Sequence, residues 1–304
     1  MNTHHPMDQY CVLGNPVEHS KSPMIHARFA ELTHQSLHYT KQWVALDGFT
    51  AMLAQLQADG VRGCNVTVPF KFEAFAAAQH KTDRAQLAQA ANTLRFDSTG
   101  IHADNTDGVG LVNDIERNAG LCLAGRDILL VGAGGAAAGV LGPLLASGPR
   151  RLVVVNRNAD KATALVARHR QHPWVQGLLQ KTELLVQEIQ GLEGDFDVII
   201  NATASSLAGV ALPIAGSVLR PGALAYDMMY GPPAEPFAQW AISHGGIARD
   251  GLGMLVEQAA AAFEIWRGVH PPSGRVLGEM RAALLPTAQL SLAQLPGDSL
   301  PTAA

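Results

Sequence analysis

Short apolar runs alternate along this chain with longer stretches whose hydrophobic positions recur every three or four residues. Tyr10-Cys11-Val12-Leu13, Ile128-Leu129-Leu130-Val131, Leu152-Val153-Val154-Val155, Val198-Ile199-Ile200 and Ala223-Leu224-Ala225-Tyr226 are too short for amphipathic helices. They predict strands, the later ones buried on both faces. Leu37, Tyr39 and Trp43 mark a further strand region. Helical spacing links Ile25, Phe29 and Leu32, then Phe49, Met52, Leu53 and Leu56, then Val109, Leu111, Val112 and Ile115. It returns at Val140, Leu141, Leu144 and Leu145, through 159–169, and from Leu255 through Phe263 to Trp266. This penultimate helix is expected to pack across two domains, and Val276, Leu277 and Met280 predict one last helix. Leu178-Leu179 reads as a short strand and 184–189 as a short helix. From Pro286 the Pro-, Ser- and Thr-rich end is expected to fray. Strands and helices alternating at this spacing predict an α/β chain with a mostly parallel sheet covered on both faces.

The strongest local signal follows the strand at 128–131. Gly132, Gly134 and Gly135 come at once, with Ala133, Ala136 and Ala137 between and behind them, and an alanine-rich helical run begins. A strand, a tight glycine turn and a helix N-terminus form a seat for a dinucleotide pyrophosphate, because the first-turn N–H groups and the helix dipole favour negative charge. The spacing is G-x-G-x-x-A, in which a small third residue serves helix–sheet packing. An NAD-binding second strand ends in an acid that holds the adenosine ribose. Here it ends Asn156-Arg157-Asn158, with Lys161 and Arg168 beyond. Arg157 suits a bidentate clamp on a 2′-phosphate, which favours NADP. The nicotinamide is expected between the 201–206 loop, with Thr203, and the 227–230 loop, with Met228.

The first hundred residues carry small polar side chains at element ends. Ser20 and Ser22 stand before Pro23, where Ser22 either caps a helix or faces a ligand. Asn65 and Thr67 share one side of an extended segment. Lys71 follows among Phe70, Phe72 and Phe75, a surface lysine or, in partly apolar surroundings, a proton-transfer group. Asn92 and then Asp104, Asn105, Thr106 and Asp107 repeat the pattern, and helix capping explains one of the last four but not all. No histidine or further acid joins these carboxylates at ligand spacing, so no metal is expected.

Composition narrows the class. The chain has 304 residues, 47% hydrophobic and 16% charged, with a net charge of −4. That length predicts two domains, and no basic field invites nucleic acid or an anionic membrane. Cys11, Cys64 and Cys122 are scattered, which reads as reduced thiols, and neither a signal peptide nor a run of membrane-spanning length is evident. The expectation is a cytoplasmic protein with a small-molecule substrate.

Taken together, Val12-Leu13-Gly14-Asn15-Pro16 with His19-Ser20-Lys21-Ser22-Pro23, then Asn65 to Lys71, Ala91-Asn92-Thr93, Asn105-Thr106-Asp107-Gly108, Asn156-Arg157 and Gly251-Leu252-Gly253-Met254-Leu255 with Gln258 resemble the shikimate dehydrogenase family over roughly 10–285. The resemblance implies a discontinuous α/β substrate-binding domain, from 1–118 and 251–304, with a Rossmann-like NADP domain inserted at 119–250. It implies reversible reduction of 3-dehydroshikimate to shikimate in aromatic amino-acid biosynthesis, with Lys71 and Asp107 as the catalytic pair. Ser20, Ser22, Thr67, Asn92 and Gln258 would bind shikimate, with Asn65 and Tyr230 lining its pocket. Gly132 to Ala137, Asn156, Arg157, Lys161, Thr203, Met228 and Gly251 would bind NADP, and the protein would be a monomer or a homodimer. Two positions depart from the family pattern: Ala27 after His26, and Ser205-Ser206-Leu207 in the nicotinamide loop. The competing readings are a quinate/shikimate dehydrogenase that uses NAD or both cofactors, and a non-catalytic nucleotide sensor on the same fold.

Overall fold

A computed structural model describes residues 7–203 and 212–284. The fraying end from Pro286 and the departure at Ser205, Ser206 and Leu207 lie outside these residues. The described chain forms two α/β domains, each built on a six-stranded sheet.

The first sheet takes β1 (Asp8–Gly14), β2 (Leu37–Trp43), β3 (Gly63–Val66), β4 (His80–Lys81), β5 (Thr93–Asp97) and β6 (Gly100–Asp104). Its order is β2-β1-β3-β5-β6-β4, and β5 alone runs against its neighbours. This direction has a functional consequence. The carboxyl ends of β1, β3 and β6 and the amino end of β5 all open onto one edge, so the polar residues that follow or precede them converge. The helices of this part are α1 (Ser22–Thr33), α2 (Phe49–Ala58), α3 (Lys71–Ala77) and α4 (Asp83–Ala88).

The second sheet takes β7 (Asp127–Val131), β8 (Arg151–Val155), β9 (Glu183–Gln187), β10 (Phe196–Asn201), β11 (Leu219–Asp227) and β12 (Ile247–Arg249). All six run parallel in the order β12-β11-β10-β7-β8-β9. This is the doubly wound arrangement, whose strand order reverses between β7 and β10 and opens a crevice there for a ligand. The apolar runs of β7, β8 and β10 are buried on both faces, as parallel strands beneath helices must be. Helices α6 (Gly135–Ala146), α7 (Ala159–Gln171), α8 (Pro173–Leu178) and α9 (Glu235–Ser243) surround them.

Two expectations about this region are corrected. Leu178 ends a helix rather than forming a strand, because Pro173 starts α8 and the His172 side chain caps it. The 184–189 segment is not a helix: β9 pairs residue by residue with β8, and that ladder overrides its ambiguous local pattern. Ser22 also proves not to be an N-cap. Lys21 holds that position, and no side chain caps α1.

Two helices join the domains, and a third ends the described chain. α5 (Asp107–Asn113) runs into a π-turn at Asp114–Asn118, and α10 (Leu252–Arg267) returns from the second sheet to the first, followed by α11 (Ser273–Leu284). Val256, Ala259, Ala260 and Phe263 of α10 share a core with Tyr10, Val12, Ile25 and Phe29, so the first domain is made by both ends of the chain. α5 lies between α6 and α10 at close range. A Cβ on Gly108 would overlap the Pro143 ring, and one on Gly110 would meet the Met254 carbonyl oxygen at 2.7 Å. No described helix is long and apolar enough to cross a membrane.

Candidate active site

A cavity of about 350 Å³ opens where the two domains face each other. Ser20, Ser22, Asn65, Thr67, Lys71, Asn92, Asp107, Tyr230 and Gln258 line it, together with Ala136, Met228 and Gly251. Every residue expected to hold substrate or to form the catalytic pair is therefore brought to one place, although the sequence spreads them from 20 to 258.

Lys71 and Asp107 form its centre. Lys71 opens α3 and Asp107 opens α5, and Lys71 Nζ donates to Asp107 Oδ2 at 2.5 Å. The lysine side chain is 19% exposed and the aspartate 3%, so the ammonium faces the cavity while the carboxylate stands behind it. Asn92 Nδ2 donates to the other carboxylate oxygen at 2.8 Å and also approaches Gln258 Oε1 at 3.1 Å. The Asn92 amide is fixed in turn, because its Oδ1 accepts from the Thr106 N–H at 2.8 Å and the Thr93 hydroxyl at 2.9 Å. Asp107 thus has a partner on each oxygen and a rigid frame behind one of them, which leaves the ammonium as the adjustable member.

Asn65 is held in the same manner. Its Oδ1 accepts from the Tyr39 hydroxyl at 2.8 Å, and its Nδ2 donates to the Asn92 carbonyl and to Thr93 Oγ1, both at 3.1 Å. Tyr39 is buried against His26, with ring centroids 4.3 Å apart and planes at 8°. Burial pushes the Tyr39 hydroxyl well above its usual titration range and lowers His26 to about 3, so both rings are neutral supports. Ser22 is not spent on capping, and its side chain lines the cavity wall beside the Tyr39 hydroxyl, while Ser20 Oγ accepts from the Ser22 N–H at 3.3 Å. Burial also raises Tyr230.

Across the cleft, the glycine turn meets the requirements of a dinucleotide phosphate. Gly132 has φ +122°, and a Cβ there would stand 3.0 Å from the Ala202 carbonyl oxygen at the neighbouring strand end. Gly134 is the N-cap of α6 with no side-chain cap, and a Cβ on it would meet nothing within 4 Å. The positive end of the helix therefore faces an open cradle. Asn201 and Asp227 tie the two expected nicotinamide loops together: Asn201 Nδ2 donates to Asp227 Oδ2 at 3.0 Å, the Thr203 N–H donates to Asn201 Oδ1 at 3.1 Å, and the Met229 N–H donates to Asp227 Oδ1 at 2.8 Å.

At the end of β8, Asn156 Nδ2 donates to the Asn158 carbonyl at 2.8 Å, and Asn158 caps α7 by accepting from the Lys161 N–H. Arg157 and Lys161 are exposed, and neither side chain has an ion pair or hydrogen bond among the described residues. Arg168 is carried two turns beyond Lys161 on the same helix, about 10 Å farther along its axis. A larger cavity, of about 520 Å³, lies against the opposite ends of the β11 and β12 strands. Its Arg220 and Arg249 are already paired with aspartates, and none of the residues expected to bind substrate or cofactor lines it.

The shikimate dehydrogenase substrate binding domain matches residues 12–94, the shikimate/quinate 5-dehydrogenase family 115–211, and the shikimate 5′-dehydrogenase C-terminal domain 251–285. The shikimate dehydrogenase (NADP(+)) of Acidovorax ebreus is 64% identical over 277 residues, 91% of this chain and 97% of that one. The chain belongs to the shikimate dehydrogenase family. Solved members of this fold extend the likeness to three dimensions. An Ael1 enzyme from Pseudomonas putida superposes with a TM-score of 0.81 at 44% identity, covering 90% of this chain and 97% of the other. The shikimate 5-dehydrogenase of Thermus thermophilus, solved with NADP(H) and shikimate, gives 0.77 at 26% identity, over 91% and 100%.

Family membership makes the chain an oxidoreductase of the shikimate pathway. The residues that sequence reasoning missed stand behind the site: Tyr39 and Thr93, which with Thr106 fix the amides of Asn65 and Asn92. Thr106 was singled out among the polar residues before α5 without a role, and Thr93 adjoins Asn92, an adjacency that was the available signal. Tyr39 had none, since it reads as one more apolar strand position.

Proposed function

We propose that this enzyme is an NADP-dependent shikimate dehydrogenase that reversibly reduces 3-dehydroshikimate to shikimate, with Lys71 and Asp107 as its acid–base pair. The observation that carries the reading is the Lys71–Asp107 pair, set in a cavity whose far wall is formed by residues beside the glycine turn. The dinucleotide, when bound, supplies or accepts a hydride. In the direction of reduction, Lys71 Nζ gives a proton to the ketone oxygen as that carbon gains the hydride, and in oxidation it takes the hydroxyl proton back. Asp107 holds the ammonium in place and keeps the pair near neutrality in a partly enclosed site, which limits the cost of desolvating the lysine. The hydroxyls of Ser20, Ser22 and Thr67 suit a substrate carboxylate, and the fixed amides of Asn65, Asn92 and Gln258 suit ring hydroxyls.

The preference for NADP rests on Arg157 and Lys161, two exposed cations without partners among the described residues at the end of β8, where an NAD site would carry an acid. The relative named as an NADP(+) enzyme supports the same reading. This division of labour assigns 1–118 and 251–304 to substrate and 119–250 to cofactor. An initial-rate matrix of shikimate and quinate against NADP and NAD tests it, and shikimate with NADP should give the highest kcat/KM. Lys71→Ala should lower turnover by about two to four orders of magnitude while NADPH still binds. A variant that keeps half its activity would remove Lys71 from the mechanism.

A further inference from the structure

The rim of the cleft that faces the glycine turn is apolar. Phe72, directly after Lys71 on α3, is 54% exposed, and Val68 four residues earlier is 65% exposed. The Phe72 ring does not simply point into water. A Cβ on Gly135 would lie 3.5 Å from its Cζ and 3.8 Å from its Cε2. The side chain thus reaches from the substrate domain across the cleft and rests beside the first residue of α6. Ala136, the next residue of that helix, lines the same cavity as Val68 and Lys71.

We infer that Phe72 is a cofactor-contacting residue: its ring packs on the dinucleotide held at the amino end of α6 and closes that seat from the substrate side. The inference rests on the NADP reading above. A phosphate bound to the first-turn N–H groups of α6 comes within reach of this ring, because the ring stands at van der Waals distance from the place a Cβ on Gly135 would occupy. The rest of the dinucleotide must run from there towards Lys71, and Lys71 and Phe72 are the first two residues of one helix. An aromatic side chain suits the position. Its positive edge tolerates a phosphate, its face covers a ribose or nicotinamide, and its bulk excludes water from the seat. Contact at Phe72 also links cofactor occupancy to the helix that presents the lysine.

Fluorescence titration of NADPH into wild-type enzyme, Phe72→Ala and Phe72→Leu, all without shikimate, tests this independently of turnover. The dissociation constant should rise roughly five- to tenfold in Phe72→Ala, the loss expected for one partly buried ring, with Phe72→Leu in between. Shikimate binding to the cofactor-free enzyme, followed by calorimetry, should stay within about twofold of wild type in both variants, a margin small beside the loss expected for NADPH. An unchanged or lower NADPH constant in Phe72→Ala would overturn the inference alone, as would an equal loss of shikimate binding, which would mean a general distortion of α3. Failure of the wild-type enzyme to bind NADPH would overturn the cofactor reading and this inference with it.

Discussion

Asp107 illustrates how single side chains are arranged around the cleft: one carboxylate oxygen meets Lys71, the other meets Asn92, and Asn92 is itself locked by Thr93 and Thr106. Arg157 is the opposite case, an exposed cation with nothing to hold it among the described residues. If it clamps a 2′-phosphate, Arg157→Ala should weaken NADPH roughly ten- to a hundredfold, the range for losing charge-assisted hydrogen bonds, and leave NADH nearly unchanged. Equal weakening of the two in parallel titrations would refute the assignment. His26 allows a prediction about pH. Burial depresses it to about 3, and His169 likewise to about 4. As pH falls through the ordinary histidine range near 6.5, the unfolded chain takes up protons that the folded chain refuses. Stability should therefore be full above that range and decline below it, by about 1.4 kcal/mol per pH unit for each histidine until its folded pKa is reached. Urea midpoints between about pH 7.5 and 5, a window spanning the ordinary histidine pKa, measure the slope, and His26→Phe should make it shallower.

At the scale of elements, the helices that deliver the site are spaced by glycines. Gly110 lets α5 approach α10 so closely that a Cβ would already sit 2.7 Å from the Met254 carbonyl and 2.8 Å from Gln258 Cβ. Gly110→Val should cost about 1–3 kcal/mol by overpacking, visible as a lower urea midpoint, and should raise the substrate KM because Gln258 is displaced. Retention of both wild-type values would show that the two helices separate without consequence. β5 and β6, which deliver Asn92 and Asp107, carried no strand prediction, whereas several other elements near the site were legible from the chain, since glycine and proline punctuated their ends and apolar period marked their length. β9 was not. Its Leu184, Leu185 and Val186 suit a short helix or a strand equally, and only the ladder with β8 decides between them. β12 was missed for a related reason, because three residues at a sheet edge carry too little pattern to stand out.

Over the whole molecule, the two domains are joined by more than the polypeptide. Asp114, fully buried in the π-turn after α5, accepts from the Tyr226 hydroxyl of β11 at 2.7 Å and from Arg249 of β12 at 2.8 and 2.5 Å. Gly253 of α10 packs directly on this carboxylate, since a Cβ there would overlap it. The second sheet is thereby tied to α5 and α10, which carry Asp107 and Gln258. Asp114→Ala would leave Arg249 without its acid and Tyr226 without its acceptor, at a cost on the order of 3 kcal/mol. Urea denaturation should show that loss, and a variant as stable as wild type would mean that water replaces the network freely.

The sequence by itself determined the parallel sheet, the glycine turn, the cation where an acid was expected and the polar residues at strand ends, because periodicity, turn chemistry and charge are local properties. Through those motifs it also carried the family resemblance. What only the tertiary structure decided was their convergence. The reversed direction of β5 brings Asn92 to the edge where Lys71 and Asp107 emerge, and the return of α10 supplies Gln258 from the far end of the chain. The supports of Tyr39, Thr93 and Thr106, the Asp114 tie and the reach of Phe72 to Gly135 depend on contacts between residues distant in sequence. Strand order and helix packing create such contacts, and no local pattern records them.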